Sequence, residues 1–306
     1  MDTDALRWFQ LVADGVTVTE VSEIEGVSQP GVSRALARLE KDVGTPLLRR
    51  SGRTLRMTRA GSAFKRHVDA MLHQLDDGLA AVEQTVDPET GTVQLAYQVS
   101  LGVWLVPDLL ASFRFQHPRV RFELRQVRDE RVDSVLDTGR ADLVLSTVRP
   151  ADDAVKRERL LDEPLRLAVP TRHRLAGLRH IRLADAADEP FLMLRPSSAL
   201  RRLCDQLCRE AGFEPAVALE GDDVLTLQGF VAAGLGVAIV PALGLGPTAQ
   251  QAESVHYLQL TDDHATREIS VFWPEDRRLL PAAELFRSHV VDRARTGRLG
   301  DRRASS

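Results

Sequence analysis

The segment from Val27 to Glu40, VSQPGVSRALARLE, constrains the fold more than any other part of the 306-residue chain. Ser28 can cap a helix, and Pro30 falls in its first turn, where the missing N–H costs little. Apolar residues then recur at helical spacing: Val32, Leu36, Leu39 and Val43. The opposite side is polar and basic, with Gln29, Ser33, Arg34 and Arg38. The pattern predicts a helix that buries one face and offers the other to a partner.

Two shorter helices are predicted before this segment. The first has an apolar face that consists of Leu6, Phe9, Val12 and Ala13. The second directs Val21 and Ile24 inward, and either Thr17 or Thr19 can cap it. Gly26 then marks a tight turn before the third helix. Helix, glycine-containing turn and helix with a polar outer face form a helix-turn-helix.

The sequence after the third helix, TPLLRRSGRTLRMT, predicts a β-hairpin. Leu47 and Leu48 precede a turn at Ser51 and Gly52, and further apolar residues follow it. The hairpin segment contains four arginines: Arg49, Arg50, Arg53 and Arg56. A basic hairpin of this kind is typical of a DNA-binding wing. Residues 1–57 are therefore predicted to form a winged helix-turn-helix domain that is mostly α-helical.

The charges of the chain are unevenly distributed. The whole chain has a net charge of −4, which does not mark it as a nucleic-acid binder. From Ser28 to Arg66, however, ten Lys and Arg face only two acids, whereas His67 to Thr90 has six acids and no Lys or Arg. A basic block inside an acidic protein predicts a local phosphate-binding surface. The alternative is a solvated helix face, which is the usual explanation of a charge run.

A long helix is predicted from Thr58 to about Val86, with DPETG ending it as a linker. Apolar residues repeat at spacings of three and four in its sequence: Phe64, Val68, Met71, Leu75, Leu79 and Val82. This spacing favours a coiled-coil-like dimerisation helix. Residues 58–90 are therefore predicted to be a dimerisation helix and hinge.

Strands and helices alternate in the remainder of the chain. Strand TVQLAYQ, helix LVPDLLASFRFQ, strand VRFELRQ, helix RVDSVLDTG and strand DLVLS form a βαβαβ unit with a parallel sheet. LRLAVP begins a second unit, and REISVFW and a final helix close the chain. We expect a two-lobed α/β domain over residues 91–297. Lobe I would take about 91–161 and 268–297, lobe II about 162–267, and residues 298–306 would be a disordered tail.

Several polar residues follow predicted strands, where ligands of α/β folds bind. They are Ser100, Ser146, Thr147, Ser197 and Ser198, and Arg195 could add a positive charge. Hydroxyl groups beside helix N-termini favour an anion, so a small carboxylate is a plausible ligand. The alternative for each serine before a helix is ordinary helix capping.

Taken together, these segments resemble the LysR-type transcriptional regulators. The match rests on the SQP-x-VS core with its following LE, on Gly44 to Leu47 and on T-x-AG, in which Thr58, Ala60 and Gly61 match. In the second half, HP-x-V, G-x-x-DL and VAAGLGVAIVP fit in the same order. The resemblance covers the whole chain. It implies a periplasmic-binding-protein-like effector domain with two lobes after the DNA-binding domain and the linker helix.

The resemblance gives the residues their expected roles. Gln29 can pair with adenine in the major groove, Arg34 can contact guanine or phosphate, and Ser33 suits a phosphate or a thymine edge. Ser28 and Pro30 begin this reading helix, Arg38 would touch the DNA backbone, and Arg50 and Arg53 would approach a minor groove or phosphates. The effector cleft would be lined by Ser100 with its neighbour Leu101, and by Val224 or Thr226.

The expected partners are double-stranded operator DNA, a small effector and further copies of the chain. Dimers would place two reading helices about 34–36 Å apart on a partly palindromic site. The family also forms dimers of dimers, and RNA polymerase is left open as a partner. We expect no membrane segment, since no apolar run reaches about 20 residues, and the acidic N-terminus does not look like a secretory signal.

Other functions lack a matching motif. The sequence offers no nucleophile elbow, no paired metal spacing and no complete nucleotide loop, so we expect no enzyme activity, metal or cofactor. Gly234 and Gly236 follow a predicted helix rather than a strand, which is the reverse of a nucleotide-binding loop. We therefore expect Gly234 to end that helix. Cys204 and Cys208 are four residues apart and share a helix face. They are interpreted either as two buried small residues or as a redox switch. Having only two cysteines favours a cytoplasmic protein.

Two alternatives from other classes stay open. A cytoplasmic solute-binding module without a DNA role would use the same two lobes, but it would not explain the basic N-terminal block. An α/β enzyme would need catalytic groups that the sequence does not display.

Overall fold

A computed structural model gives the architecture of the chain. It describes residues 2–51, 54–86, 90–127, 135–136, 140–150, 155–242, 254–275 and 277–299. Gly52, Arg53, the linker residues 87–89, most of the predicted helix RVDSVLDTG and residues 300–306 of the tail lie outside this description. The chain divides into two compact units: residues 1–86 with 137–140, and residues 87–136 with 141–306.

The first unit contains the predicted helix-turn-helix, hairpin and long helix. Its elements are α1 (Thr3–Ala13), α2 (Val18–Ile24), α3 (Gln29–Val43), β1 (Leu48–Ser51), β2 (Thr54–Met57) and α4 (Arg59–Val86). Thr17, rather than Thr19, caps α2. Its hydroxyl accepts a hydrogen bond from the Glu20 amide at 3.2 Å, and the Glu20 carboxylate accepts one from the Thr17 amide at 2.8 Å. This reciprocal pair satisfies two amides that the first turn leaves without helical partners.

A single apolar core holds the first unit together. It contains Leu6, Phe9, Val12, Val21, Val32, Leu36, Leu39, Leu47, Val68 and Leu72. The expectation that Ile24 points inward is wrong, because 66% of this residue is exposed. Ile24 is the last residue of the short helix α2, and Val27 packs against the core from the turn that follows.

The start of α4 is fastened to the base of the hairpin. The Thr58 hydroxyl donates to the Pro46 carbonyl at 2.8 Å and accepts from the Gly61 amide at 3.0 Å. A Cβ atom at Gly61 would lie 2.1 Å from the Leu47 carbonyl oxygen. The T-x-AG motif is therefore explained by close approach of two backbones, which only glycine permits.

The second unit is a mixed α/β domain. Its elements in chain order are β3 (Gly91–Gln98), α5 (Leu105–Gln116), β4 (Val120–Val127), β5 (Leu143–Ser146), β6 (Val155–Pro170), β7 (His180–Ile181), β8 (Pro190–Leu194), α6 (Ala199–Glu210), β9 (Ala216–Gly221), α7 (Val224–Ala232), β10 (Ala238–Pro241), β11 (Val255–Leu260), β12 (Thr266–Pro274) and α8 (Pro281–Arg295). The two-lobed α/β architecture predicted from the sequence is confirmed.

The main sheet has the strand order β4-β3-β5-β12-β6-β11-β7, and β10 also pairs with β6. β3 is parallel to both β4 and β5, as predicted, but β12 is antiparallel to β5 and β6. The sheet is therefore mixed rather than parallel. The sequence LRLAVP predicts only the last six residues of the 16-residue strand β6, because the VKRER segment at its start is polar and mostly exposed.

Two apolar cores define the lobes. The first lobe packs α5 and α8 on the sheet, and Phe113 contacts Phe122 and Phe286 edge-on, with ring centroids 5.7 Å and 5.1 Å apart. The second lobe packs α6 and α7 around β8, β10 and the end of β6. Every helix within the described residues is too short or too polar to span a bilayer.

Both cysteines belong to the second-lobe core. Cys204 and Cys208 lie on α6, and at most 3% of either residue is exposed. Burial raises the pKa of the Cys208 thiol to about 12, and burial likewise raises the pKa of the Cys204 thiol. Both sulfur atoms are therefore neutral thiols at physiological pH, and their placement agrees with the interpretation as buried small residues.

Replacing Gly61 by alanine tests the close approach between α4 and the hairpin. We expect Gly61→Ala to lower the free energy of unfolding by about 2 kcal/mol, since backbone must move to admit the methyl group. Urea denaturation measures the loss. Gly229→Ala inside α7 is the control, because its methyl group would meet nothing within 4 Å. Equal stability of the two variants would contradict the contact.

The cysteines should resist thiol reagents in the folded protein. At pH 8 an unfolded thiol with a pKa of about 8.5 is partly thiolate, the reactive form. The raised pKa of each buried thiol removes that form. We expect labelling of the native chain by an aromatic disulfide to be at least about a hundredfold slower than labelling of the urea-unfolded chain. Rapid labelling of both thiols under native conditions would contradict the burial.

Candidate functional site

Helix α3 separates its residues as the sequence predicts. Val32, Leu36 and Leu39 are buried, whereas the predicted DNA-facing residues are exposed: Gln29, Pro30, Ser33, Arg34 and Arg38. A polar and basic face is therefore available from Gln29 to Arg38, over about three turns of the helix. Its residue types are those that hydrogen-bond to base edges and phosphates.

Local contacts order the N-terminal end of this face. The Ser28 hydroxyl accepts a hydrogen bond from the Gly31 amide at 3.2 Å, so this side chain acts as the helix cap. The Arg34 Nε donates to the Pro30 carbonyl at 3.2 Å. That contact uses one of the five N–H groups of the guanidinium and leaves its two terminal nitrogens for a partner.

Glu40 connects the reading helix to the hairpin, a role that sequence reasoning missed. Its Oε1 accepts hydrogen bonds from the amides of Leu47 and Leu48, both at 2.8 Å. Leu47 is fully buried beside this contact. The signal in the sequence was a lone glutamate inside a strongly basic segment. A carboxylate there fixes the position of the hairpin relative to α3.

The hairpin presents arginines to solvent. Arg49 pairs with Arg56 and Arg50 with Leu55 across β1 and β2, and all three arginines are exposed. Arg53 lies outside the described residues. Like charges directly opposite one another, such as Arg49 and Arg56, destabilise a hairpin slightly, and an anionic partner would relieve that repulsion. The hairpin therefore extends the basic surface of α3.

The apolar stripe on α4 has two different environments. Val68 is 3% exposed in the core of its own unit, and Phe64 packs against that core with its ring 5.7 Å from Phe9. The prediction that Val68 lies in a dimer seam is wrong, because this residue is already buried in the core of its own unit. Further along the stripe the apolar side chains are exposed: Met71, Leu75, Leu79 and Val82.

Ser100 belongs to a buried charged group, which we call the junction group: Ser100, Glu163 and Arg267. Arg267 donates through Nε to Glu163 at 2.8 Å and through Nη1 to the Ser100 hydroxyl at 3.2 Å. Glu163 is fully buried, and 7% of Arg267 is exposed. Sequence reasoning missed both charged residues: Arg267 opens the predicted strand REISVFW, whereas Glu163 precedes the predicted strand LRLAVP.

The junction group lies where the chain passes between lobes. Leu160 and Ile269 belong to the first-lobe core, whereas Leu165 and Ala265 belong to the second-lobe core. Glu163 and Arg267 are paired directly between these positions on β6 and β12. The Glu163–Arg267 pair therefore lies between the two apolar cores.

Ser146 and Thr147 lie on a different face of the sheet from the junction group. On β5, Leu143 and Leu145 enter the first-lobe core, whereas Val144 packs on the opposite face with Ala96 and Phe272. Because strand side chains alternate, Ser146 shares the face of Val144. The structure therefore does not place Ser146 beside Ser100 on one surface.

These two residues have well-defined partners. The amide and hydroxyl of Thr147 both donate to the Gln98 Oε1 atom at 2.8 Å. Ser146 is fully buried and accepts a hydrogen bond from the Val148 amide at 2.9 Å. With Ser270 and Phe272, they line a cavity of about 220 Å³ on this face.

The second-lobe candidates are mostly engaged with the protein itself. Arg195 forms an exposed ion pair with Asp222, with Nε and Oδ1 2.5 Å apart. Asp223 caps α7, accepting from the Thr226 amide and hydroxyl at 2.8 Å, so an acid already occupies that helix end. Ser198 occupies the N-cap position of α6, and the Ser197 carbonyl accepts from Arg202 at 2.8 Å.

Two predicted effector residues are core residues. Leu101 is fully buried in the first-lobe core, with 0% accessible surface. Val224 is 7% exposed and belongs to the second-lobe core. Their side chains were expected to line a cleft. Within the described residues, no group of three or more His, Cys, Asp or Glu could hold a metal ion.

Comparison with known proteins identifies the family. The family model for the bacterial regulatory helix-turn-helix protein of the lysR family matches residues 3–62, and that for the LysR substrate binding domain matches residues 87–295. The HTH-type transcriptional regulator YybE of Bacillus subtilis is 33% identical over 293 residues, covering 95% of this chain and 98% of the relative.

A second relative and a solved structure agree. The transcriptional dual regulator GltC of Bacillus subtilis is 28% identical, covering 95% of this chain and 97% of the relative. Full-length CbnR complexed with its target DNA has a TM-score of 0.74 at 23% identity, covering 96% of this chain and 100% of CbnR. These matches are to transcriptional regulators rather than to enzymes, and they confirm the resemblance drawn from the sequence. The chain belongs to the LysR family of bacterial transcriptional regulators.

Proposed function

We propose that this regulator reads an operator sequence through α3 and responds to a small anionic metabolite, most simply a carboxylate, bound between its lobes. The observation that carries the DNA assignment is the exposed polar face of α3. Val32, Leu36 and Leu39 hold the opposite face in the core. The helix therefore cannot rotate its polar side chains away from a bound duplex.

The individual contacts follow from side-chain chemistry. Gln29, in the first turn, offers an amide that pairs with the N6 and N7 atoms of adenine. The terminal nitrogens of Arg34 remain available for guanine or phosphate. Ser33 lies between Gln29 and Arg34 in the chain and is also exposed. Arg38 and the wing arginines Arg50 and Arg53 supply backbone contacts, which orient the protein without reading sequence.

Dimerisation would use the exposed part of the α4 stripe. Leu75, Leu79 and Val82 are 42%, 59% and 69% exposed, and Met71 precedes them on the same face. Four apolar side chains in one row on a long helix favour pairing with a second copy. Two copies would present two reading helices to a partly palindromic site.

The effector would act through the junction group. Ser100 offers a hydroxyl, and Arg267, whose charge is matched by Glu163, contributes N–H donors at the place where β6 and β12 leave one lobe for the other. An anion there would interact differently with open and closed arrangements of the lobes. Binding would then shift the population between two DNA-bound states of the oligomer. The two free buried thiols support a cytoplasmic setting.

Substitution of the reading residues tests the proposed DNA contacts. Gln29→Ala and Arg34→Ala should each weaken binding to DNA from upstream of the protein's own gene by about 1–3 kcal/mol, relative to a scrambled duplex. Fluorescence anisotropy at two salt concentrations separates this loss from general phosphate attraction.

Two exposed residues of the effector domain are matched controls for that experiment. Gln116→Ala and Arg114→Ala remove the same side-chain types from α5 and should leave the affinity unchanged. If Gln29→Ala and Arg34→Ala also left it unchanged, α3 would not read the sequence. A chain that prefers no duplex but binds small solutes would instead support the solute-binding alternative.

A charge placed in the α4 stripe tests dimerisation. Leu79→Glu should raise the dimer dissociation constant by about a hundredfold, because a carboxylate would be buried in the seam. Gln74→Glu adds the same charge about 100° around the helix from Leu75 and should have little effect. Analytical ultracentrifugation distinguishes the two results. Unchanged sedimentation of the Leu79 variant would place the dimer contact elsewhere.

A further inference from the structure

The first unit contains a buried group of charged side chains that the proposed function does not use. Asp69, on α4, is 4% exposed, and Lys65, one turn earlier, is 7% exposed. The Lys65 Nζ atom lies 2.7 Å from the Asp69 Oδ2 atom and 3.2 Å from the Asp14 Oδ1 atom, at the end of α1. The Gln10 side-chain amide donates to the Asp69 Oδ1 atom at 2.8 Å. Hydrogen-bonded charges therefore join α1 to α4 in addition to their apolar core.

A residue from much further along the chain completes this group. Arg140 belongs to the first unit, although residues 136 and 141, which flank its segment, belong to the second. Its Nη2 atom donates to the Asp69 Oδ2 atom at 2.8 Å and lies 3.3 Å from both carboxylate oxygens of Asp14. We call Asp14, Lys65, Asp69 and Arg140 the clasp. These four side chains carry two positive and two negative charges, so loss of Arg140 would leave the clasp with an excess carboxylate.

Two residues after Arg140 the chain is fixed again, now in the second unit. Asp142 is 2% exposed, and its Oδ1 atom accepts from the Arg277 Nη2 atom at 2.7 Å. Its Oδ2 atom accepts from the Gln94 amide at 2.8 Å, and its own amide donates to the Gln94 carbonyl at 2.8 Å. Ala141, between the two fixed residues, is fully buried. Because Asp142 directly precedes β5, this strand and Asp142 move together.

The short chain between the two fixed residues limits their independence. The Cα atoms of Arg140 and Asp142 can lie at most about 7 Å apart, because only two peptide bonds separate them. A displacement of Asp142 by several ångströms must therefore draw Arg140 out of the clasp or be resisted by it. This connection does not pass through the linker that follows α4.

We propose that the clasp is a reversible switch, through which a displacement of β5 loosens the packing of α1 on α4. Ion pairs suit a reversible contact, since water solvates the separated charges and offsets part of the lost attraction. Residues of α1, α3 and α4 share one apolar core, so opening of the clasp reaches the unit that carries the reading helix. The switch goes beyond the proposed function, because it requires neither DNA nor an identified effector.

Hydrogen exchange of the full chain, followed by mass spectrometry, tests the switch. Arg277→Met removes the ion pair of Asp142 and so loosens the start of β5 within the second unit. We expect amides in the second half of α1 and the first half of α4 to exchange about fivefold faster in this variant than in the wild type. In the Arg140→Met background the same substitution should leave their exchange unchanged, because the clasp is already open.

Matched substitutions make the result specific. Arg278→Met removes the exposed neighbour of Arg277 and should leave exchange in α1 and α4 as in the wild type. Arg114→Met, at an exposed position of α5, is the control background, in which Arg277→Met should still accelerate exchange. If circular dichroism shows that a methionine variant does not fold, Arg277→Lys or Arg140→Gln replaces it, because each retains a hydrogen-bond donor.

Two results overturn the proposal. It fails if Arg277→Met leaves exchange in α1 and α4 unchanged, because a change at β5 would then not reach the first unit. It also fails if Arg277→Met accelerates that exchange equally with and without Arg140, because the effect would then take another route. Neither result bears on DNA recognition by α3, since no duplex is present in the experiment.

Discussion

The ion pair between Glu163 and Arg267 is the interaction on which the effector domain depends. Both residues are buried, and their nearest atoms, Nη2 and Oε2, are 2.7 Å apart. Removing one member of such a pair typically costs about 3–5 kcal/mol, because the other charge is left buried and unpaired. The pair joins the two strands that cross between lobes. A hydrogen bond from Arg267 also links the pair to Ser100, just after β3.

The DNA-binding domain relies on a different kind of constraint. Glu40 holds the hairpin through two backbone amides, and Gly61 lets α4 approach Leu47 so closely that no side chain fits. Helix, hairpin and linker helix are thereby fixed to one another through a few backbone contacts. A domain fixed in this way would present Gln29 and Arg34 to the proposed duplex with little ordering cost at the moment of binding.

The sequence predicts local elements well because their signals are local. Caps and turns gave α2, α3 and the hairpin, and the left-handed φ of 77° at Gly234 agrees with its predicted role as a helix end. Tertiary contacts between distant residues could not be predicted from local sequence patterns. Nothing in the spacing of the α4 stripe indicates that Val68 is buried in the core of its own unit whereas Leu79 is exposed. Likewise, the sequence places both Ser100 and Ser146 at strand ends, and only the packing of Val144 away from Leu143 and Leu145 assigns Ser146 to the opposite face.

The central claim is that the polar face of α3 gives this chain sequence preference on DNA. The most direct measurement is a titration of the full chain against the duplex from upstream of its own gene and against a scrambled duplex, at low and high salt. The account predicts a preference for the native duplex that persists at high salt, since base contacts release few counterions. Equal affinities that fall together with salt would contradict it and leave only a basic surface.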